Sequence, residues 1–269
     1  MLRKIKKVSA VLIIAVLLPY IITIFINGES VQTKQETILD DYCISMLAKE
    51  VSSTYEDEML KAQAVIVRTT IYREIKDLDR DSLETSLEGL ELEKEWKQRL
   101  EQIWAETEGE VLLYKNELAL LPFHQLSNGK TRSGQEVLGT EEYPYLQIKD
   151  CAKDVGSELQ MQTKVIEVAG VTINAKDSSG YVTEVKVGEE ICSGDAFRDT
   201  YSLASSCFDV QEFDGKTRVI SKGVGHGLGM SQYNANEMAK EGKTYVEILQ
   251  YFFEGTEMRE VAEVLWDMN

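Results

Sequence analysis

Nineteen consecutive uncharged residues, Val8 to Ile26, break the otherwise mixed pattern of apolar and polar positions in this 269-residue chain. At a rise of about 1.5 Å per residue such a run nearly spans a hydrocarbon core of roughly 30 Å. Arg3, Lys4, Lys6 and Lys7 precede it, and a basic flank stays cytoplasmic, so the pattern predicts residues 1–27 as a flank and N-terminal transmembrane helix. Everything after Asn27 is then expected on the outer face of that membrane. A cleaved signal peptide is the competing expectation, but no small-x-small site follows, and Pro19 would only kink the helix. Residues 28–36 are polar and without period, which reads as a tether.

From residue 37 onward helical and strand periods alternate, and the fold class expected is α+β: a mixed helix and short-strand extracytoplasmic domain over 37–269 with a substrate cleft. Ile38, Tyr42, Ile44, Met46, Leu47 and Val51 mark a first helix face. After Ser52, Ser53 and Thr54 the pairs Ser53/Glu56 or Thr54/Asp57 offer a capping pattern for a longer helix through Met59, Ile66 and Ile71. Residues 75–109 are densely charged, with Leu90, Leu92, Trp96, Leu100, Ile103 and Trp104 spaced by three and four, a solvated helix with one buried stripe and no evident chemistry. Strands are expected at Val111–Tyr114, Leu118–Phe123, Val165–Val168, Tyr181–Val187, Phe208–Gln211 and Thr217–Ser221. Helices return at Ser231–Glu241, stopped by Gly242, and at Tyr245–Phe253, where Thr244 and Glu247 form a capping box.

Charge narrows the partners. Setting aside the four basic residues of the flank, 25 Lys and Arg stand against 46 Asp and Glu, about −21 for the rest of the chain. Nucleic acid is therefore not expected. An anionic substrate would be repelled overall and must be gripped locally by placed Arg, Lys, amide and hydroxyl groups. Of the four cysteines, Cys192 and Cys207 are the candidate disulfide, because a glycine and a helical pattern between them can return the chain. Cys43 and Cys151 either pair or stay as buried thiols. No spacing of metal ligands is present; His124 with Cys151 is the least implausible start, and neither a metal nor a cofactor is expected.

The densest candidate for chemistry is Gly223-Val-Gly-His-Gly-Leu-Gly-Met-Ser-Gln-Tyr233, four alternate glycines around one of only two histidines. Such glycines free the backbone for positive φ and for close approach, although a glycine-rich turn before a helix has the same look. Together with Met59-Leu-Lys-Ala-Gln-Ala-Val-Ile-Val-Arg-Thr69, Ser127-Asn-Gly-Lys-Thr131 and the closing Tyr245 to Thr256, it resembles the stage II sporulation protein D family over most of residues 40–258. The resemblance implies a membrane-anchored lytic transglycosylase that cuts peptidoglycan glycan strands, stripped of stem peptides, to 1,6-anhydro-muramic acid ends while the forespore is engulfed. It also implies a complex with an amidase and endopeptidase and with a polytopic membrane protein, in the mother-cell membrane facing the intermembrane space. Related domains resemble enhancers of amidase activity, so a non-catalytic activator or a structural tether stays open.

By that resemblance the catalytic acid is Glu50, in Ala48-Lys-Glu-Val-Ser-Ser-Thr54, where Val51-Ser52 replaces the family's Met-Pro. A helix end beside apolar residues would desolvate its carboxyl partly and favour the protonated form that a general acid needs. The plain alternative is a solvated carboxylate at a helix end. Arg68 would grip a carboxylate or pair with Glu50, or close a structural ion pair. Ser127, Asn128, Gly129, Lys130 and Thr131 would meet sugar hydroxyls and a lactyl carboxylate, or form an ordinary turn. His226, Ser231 and Gln232 would line the cleft, with Tyr233 as a face for a sugar ring. His226 would alternatively hold its own loop through a backbone bond, and His124 is expected to be structural.

Overall fold

Two helices meeting at a corner carry the N-terminal part of the fold. The structure, a computed structural model, describes residues 39–74 and 92–261. Helix α1 (39–50) buries Cys43, Ile44 and Leu47, a spacing that keeps one face inward. Helix α2 (Asp57–Glu74) is buried on most of its surface from Met59 to Ile71, polar Gln63, Arg68 and Thr69 included, and sits in the main core, where Met59, Leu60, Val65 and Ile66 are fully buried. Neither expected capping pair starts it. Ser52 Oγ instead accepts from the Thr54 amide, and Leu60 N–H donates to Glu56 O as the first helical bond.

Helix α3 (Lys94–Glu106) buries Leu100, Ile103 and Trp104 against α2, as that part of the stripe predicts, while residues 75–91 of the charged stretch lie outside the described residues. Strand β1 (Glu110–Tyr114) turns through Lys115 and Asn116, both at positive φ, into β2 (Glu117–Leu118). The expected strand over 118–123 is broken, because Ala119 and Leu121 leave the sheet to fill the core and pairing resumes only at β3 (Phe123–His124). Helix α4 (Gly134–Leu138) and a short 3-10 turn (Ala152–Gly156) follow.

A second lobe has its own core of Ile166, Val182, Val185, Phe197, Leu203, Phe208 and Val219. It contains β4 (Met161–Ile166), β5 (Val171–Lys176), β6 (Val182–Val187), β7 (Glu190–Cys192), helix α5 (Gly194–Thr200), β8 (Phe208–Phe213) and β9 (Lys216–Lys222). The strands form two three-stranded antiparallel sheets, ordered β4-β9-β8 and β5-β6-β7. Strand β10 (Met230–Ser231) then returns the chain to the first lobe. It pairs in parallel with β3, Met230 beside Phe123 and Ser231 beside His124.

Helix α6 (Gln232–Lys240) follows with Ser231 as N-cap. Helix α7 (Tyr245–Phe252) follows with the predicted Thr244/Glu247 capping box complete. Both pack on α2, and β11 (Glu257–Glu260) closes the β11-β1-β2 sheet.

Two expectations are corrected here. The fold class predicted a transmembrane helix ahead of the domain, but among the described residues no helix is long and apolar enough to cross a membrane. The run Val8–Ile26 and the tether lie outside the described residues. The Cys192–Cys207 bridge is not formed, and both thiols are free. Cys207 Sγ lies 3.2 Å from Asn128 Nδ2 and 3.3 Å from Gly180 O, while Cys192 is held in the β6–β7 ladder opposite Val185. Cys43 and Cys151 are buried thiols, and burial pushes Cys43 up to about 12.

Candidate active-site groove

A groove of about 750 Å³ opens between the corner after α1 and the turn after α5. The end of α1 and the corner contribute Lys49, Glu50, Val51, Ser52 and Tyr55, and the end of α5 and its turn contribute Arg198, Asp199, Ser202, Leu203 and Ala204. The remaining lining comes from Phe123, His124 and Gln125 on and beside β3, and from Val224, Gly225, His226 and Gln232. The groove therefore brings Glu50, His226 and Gln232 together, three of the predicted site residues from regions far apart in sequence.

Glu50 is the last residue of α1, so its carbonyl is one that the helix itself leaves without a partner. Gln232, the first residue of α6 and almost fully buried, donates from Nε2 to that carbonyl at 2.9 Å and to Gln63 Oε1 of α2 at 3.3 Å. One turn along α6, Asn236 Oδ1 accepts from the Glu56 amide at 2.8 Å. The stretch between is held from α3. Arg99 donates to Ser53 O at 2.7 Å and Tyr55 O at 2.6 Å, and it pairs with Asp57. The Glu50 carboxylate itself is exposed, because Val51-Ser52 lets the chain leave α1 without folding apolar groups over it. That corrects the expectation of a desolvated niche: the corner fixes the backbone at Glu50 and leaves the side chain open to the groove.

The glycine run supplies the facing loop. All four glycines have positive φ. A Cβ on Gly229 would lie 1.9 Å from Pro122 O, and one on Gly227 would lie 2.2 Å from the Tyr181 ring, so the alternation is demanded by close backbone and ring approach. His226 Nδ1 accepts from the Leu228 amide at 3.1 Å, which spends that nitrogen on the loop's own geometry. Burial and the nearby Arg198 cation lower its pKa, against a backbone hydrogen bond at Phe123, so the ring is neutral at pH 7. His124 is buried beside it, ring centroids 5.8 Å apart, and its Nδ1 donates to Leu228 O at 3.1 Å. Burial takes His124 down to about 3, and its Nε2 has no hydrogen-bond partner among the described residues.

The remaining predicted residues serve the scaffold. Arg68 is buried under the Trp104 ring at 3.7 Å and donates to the carbonyls of Trp104, Thr107 and Glu110, away from the groove. The loop at Ser127–Thr131 does not line the groove either. Ser127 N–H donates to Asp154 Oδ2, Gly129 N–H to Ser127 Oγ, Asn128 Nδ2 to Ser179 O, Lys130 Nζ to Ser178 O and Thr131 Oγ1 to Gln147 O. Ser231 caps α6 and donates to Asp154 Oδ2 at 2.7 Å. Tyr233 is half-buried outside the lining residues, and its amide donates to Gln125 O.

Other side chains that shape the site left little sequence signal. Tyr55, five positions past Glu50, supplies the aromatic surface that was expected of Tyr233. Arg132 is buried. It pairs with Asp177 at 2.6 Å and Asp195 at 3.0 Å and donates to His226 O at 3.1 Å, tying the histidine loop to α5. Asp195 also accepts from Ser206 Oγ. Asp154 is fully buried under the N-terminus of α6, and burial raises its carboxyl to about 6.

Sequence similarity identifies the family. A family model described as SpoIID, stage II sporulation protein, matches residues 27–114, which contain the Glu50 corner and α2. The chain is 30% identical to stage II sporulation protein D of Bacillus subtilis (strain 168), over 87% of this chain and 78% of that protein. It is 29% identical to stage II sporulation protein D of Bacillus amyloliquefaciens, over 84% and 76%. To the amidase enhancer of Bacillus subtilis (strain 168) it is 22% identical, over 78% of this chain and 39% of that protein. With Glu50 and the histidine loop sharing one groove and this similarity running through both, the chain belongs to the stage II sporulation protein D family of sporulation proteins.

Proposed function

We propose that the protein is a peptidoglycan lytic transglycosylase of sporulation, acting on the outer face of the cell membrane during forespore engulfment, with Glu50 as its acid and base. The observation that carries this reading is the placement of Glu50: its backbone is clamped by Gln232 and the side chain is open to a groove lined by Tyr55 and the histidine loop. A glycan strand stacks on aromatic surface and needs a proton at the glycosidic oxygen. Hydrolases of the common kind use a second carboxylate for water or for nucleophilic attack. Asp199 is the other carboxylate lining the groove, and Arg198 engages it through both Nε and Nη2.

A transglycosylase has no need of that second carboxylate. The bound strand covers the Glu50 carboxyl and so favours its protonated form, which gives its proton to the glycosidic oxygen as the bond from the muramic acid C1 breaks. The C6 hydroxyl of the same sugar attacks C1, an intramolecular closure favoured by proximity, and Glu50 takes the hydroxyl proton. The ends formed are a 1,6-anhydro-muramic acid and a free 4-hydroxyl, and no water is consumed. Glu50→Gln tests the assignment on purified glycan strands lacking stem peptides. Mass spectrometry should show anhydro ends with the native protein and none with the variant, and anhydro ends at native rate from the variant would remove Glu50 from the chemistry.

The similarity to an amidase enhancer supports a second reading, an activator or tether for a cell-wall amidase and endopeptidase in one complex. That reading is carried by the protein's effect on a partner hydrolase, which Glu50→Gln would leave intact.

A further inference from the structure

We infer that Arg198 is the specificity-determining residue of the groove and binds the carboxylate of an acidic sugar, selecting strands whose lactyl carboxylate is free over those in which it is amidated. This rests on the glycan reading of the groove and names the group that recognises its substrate.

The chain carries a formal net charge of −17, yet the charged residues lining the groove are two cations, Lys49 and Arg198, and two carboxylates, Glu50 and Asp199. The groove is thus an electrically balanced site on a strongly acidic protein, and an anionic sugar meets no net repulsion there. Arg198 and Lys49 differ in kind. Arg198 lies on α5, and Asp199 Oδ1 accepts from its Nε at 3.0 Å and its Nη2 at 2.7 Å, which fixes the plane of the guanidinium. Its side chain is 21% exposed and Nη1 makes no hydrogen bond among the described residues. A planar donor held by one side and open on the other suits a carboxylate, whereas a lysine offers a mobile point charge.

The support beneath Arg198 is unusually complete. Asp195, one turn earlier on α5, is paired with buried Arg132, which also holds the His226 carbonyl. On the far side, Leu203 N–H donates to the Arg198 carbonyl and Lys164 Nζ to the Tyr201 carbonyl. Gly225 N–H, in the histidine loop, donates to Ala204 O at 2.8 Å. The backbone that carries Arg198 is therefore tied to the histidine loop, and the guanidinium is close enough for its charge to act on the His226 ring. Along a strand of alternating neutral and acidic sugars, one fixed cation determines which sugar lies at Glu50.

The test uses the full-length protein carrying Glu50→Gln, so that ligands are not turned over. Titration calorimetry would follow three tetrasaccharides: alternating N-acetylglucosamine and N-acetylmuramic acid with free lactyl carboxylates, the same sugar as its lactyl carboxamide, and a tetramer of N-acetylglucosamine. The free acid should bind about tenfold more tightly than the carboxamide, the amount expected of one partly exposed charge-assisted pair. Adding Arg198→Gln should abolish that tenfold difference and leave the other two affinities unchanged, while Lys49→Gln should preserve it. A preference that survives Arg198→Gln, or disappears with Lys49→Gln instead, overturns the assignment. If all three sugars bind equally to the Glu50→Gln protein, only the Arg198 assignment falls. If none binds, the glycan reading falls with it.

Discussion

The side-chain amide of Gln232 donates to the main-chain carbonyl of Glu50 at 2.9 Å, joining residues 182 positions apart. The bond satisfies a carbonyl at the end of α1 and sets where the carboxylate begins its reach into the groove. Gln232→Leu should leave that carbonyl unpaired and cost about 1–3 kcal/mol of stability. Loss of anhydro-end production should exceed what the unfolded fraction explains, with denaturation and rate measured on the same preparation.

Arg99 should matter to activity although it lies outside the groove lining. It holds the Ser53 and Tyr55 carbonyls and Asp57 from another helix. Arg99→Gln is expected to lower stability by only about 1 kcal/mol, because the site is partly solvated. It should speed hydrogen exchange of the amides between 51 and 57 and lower kcat. Unchanged exchange there would show that the corner holds without it.

Asp154 gives a pH signature. Its folded pKa of about 6 lies above the ordinary carboxyl value, so the fold favours the protonated acid. The stabilisation is complete below about pH 4 and is lost as pH rises through 6, a change on the order of 3 kcal/mol. Asp154→Asn keeps an oxygen for Ser127 and Ser231 and removes the titration. The ratio of native to variant stability, followed by urea unfolding, should fall between pH 4 and 7, and a flat ratio would contradict the burial argument.

Arg68→Met should be a folding defect and not a binding defect. It removes a donor from the carbonyls of Trp104, Thr107 and Glu110, of which Thr107 O keeps the Glu110 amide and Trp104 O the Thr107 hydroxyl, and it removes the cation stacked on Trp104, at a cost of about 1–3 kcal/mol. Sugar affinity of the fraction that stays folded should match the native protein, as calorimetry below the unfolding temperature would show.

Gly229→Ala should prevent assembly of the groove. The new methyl meets Pro122 O in a backbone of φ 73°, at the β3–β10 pairing. Loss of both stability and glycan binding is expected, and a soluble variant of native melting temperature would refute it.

Local chemistry was the readable part of this chain. The Thr244/Glu247 box and the stripe of α3 are decided within a few residues, and the structure has them as expected, whereas Ser231, expected to line the cleft, caps α6. Strand β5 was missed although Val171, Ile173 and Ala175 alternate with polar residues, and β7 at three residues is too short to show a period; both are largely exposed. Polar residues misled where tertiary structure used them: Asn128 and Thr131 look like sugar ligands, yet their bonds are taken by Ser179 and Gln147. Arg198 and Tyr55 gave no signal, since neither sits in a motif; Tyr55 shares the corner with Glu50, and only the approach of the second lobe brings Arg198 to the same groove. The glycine run was legible as a demand for close approach, but what approaches it, Pro122 and Tyr181, was not.

The two-residue parallel ladder between β3 and β10 also imposes an order in time. A chain emerging N-terminus first presents Glu50 early, but its clamp, Gln232, lies just past β10 and arrives 182 residues later. Every earlier intermediate holds the acid on an unanchored helix end with half its cleft missing. For the strand-cutting activity proposed above, competence is thereby withheld until Gln232 and the helix it begins have taken their place.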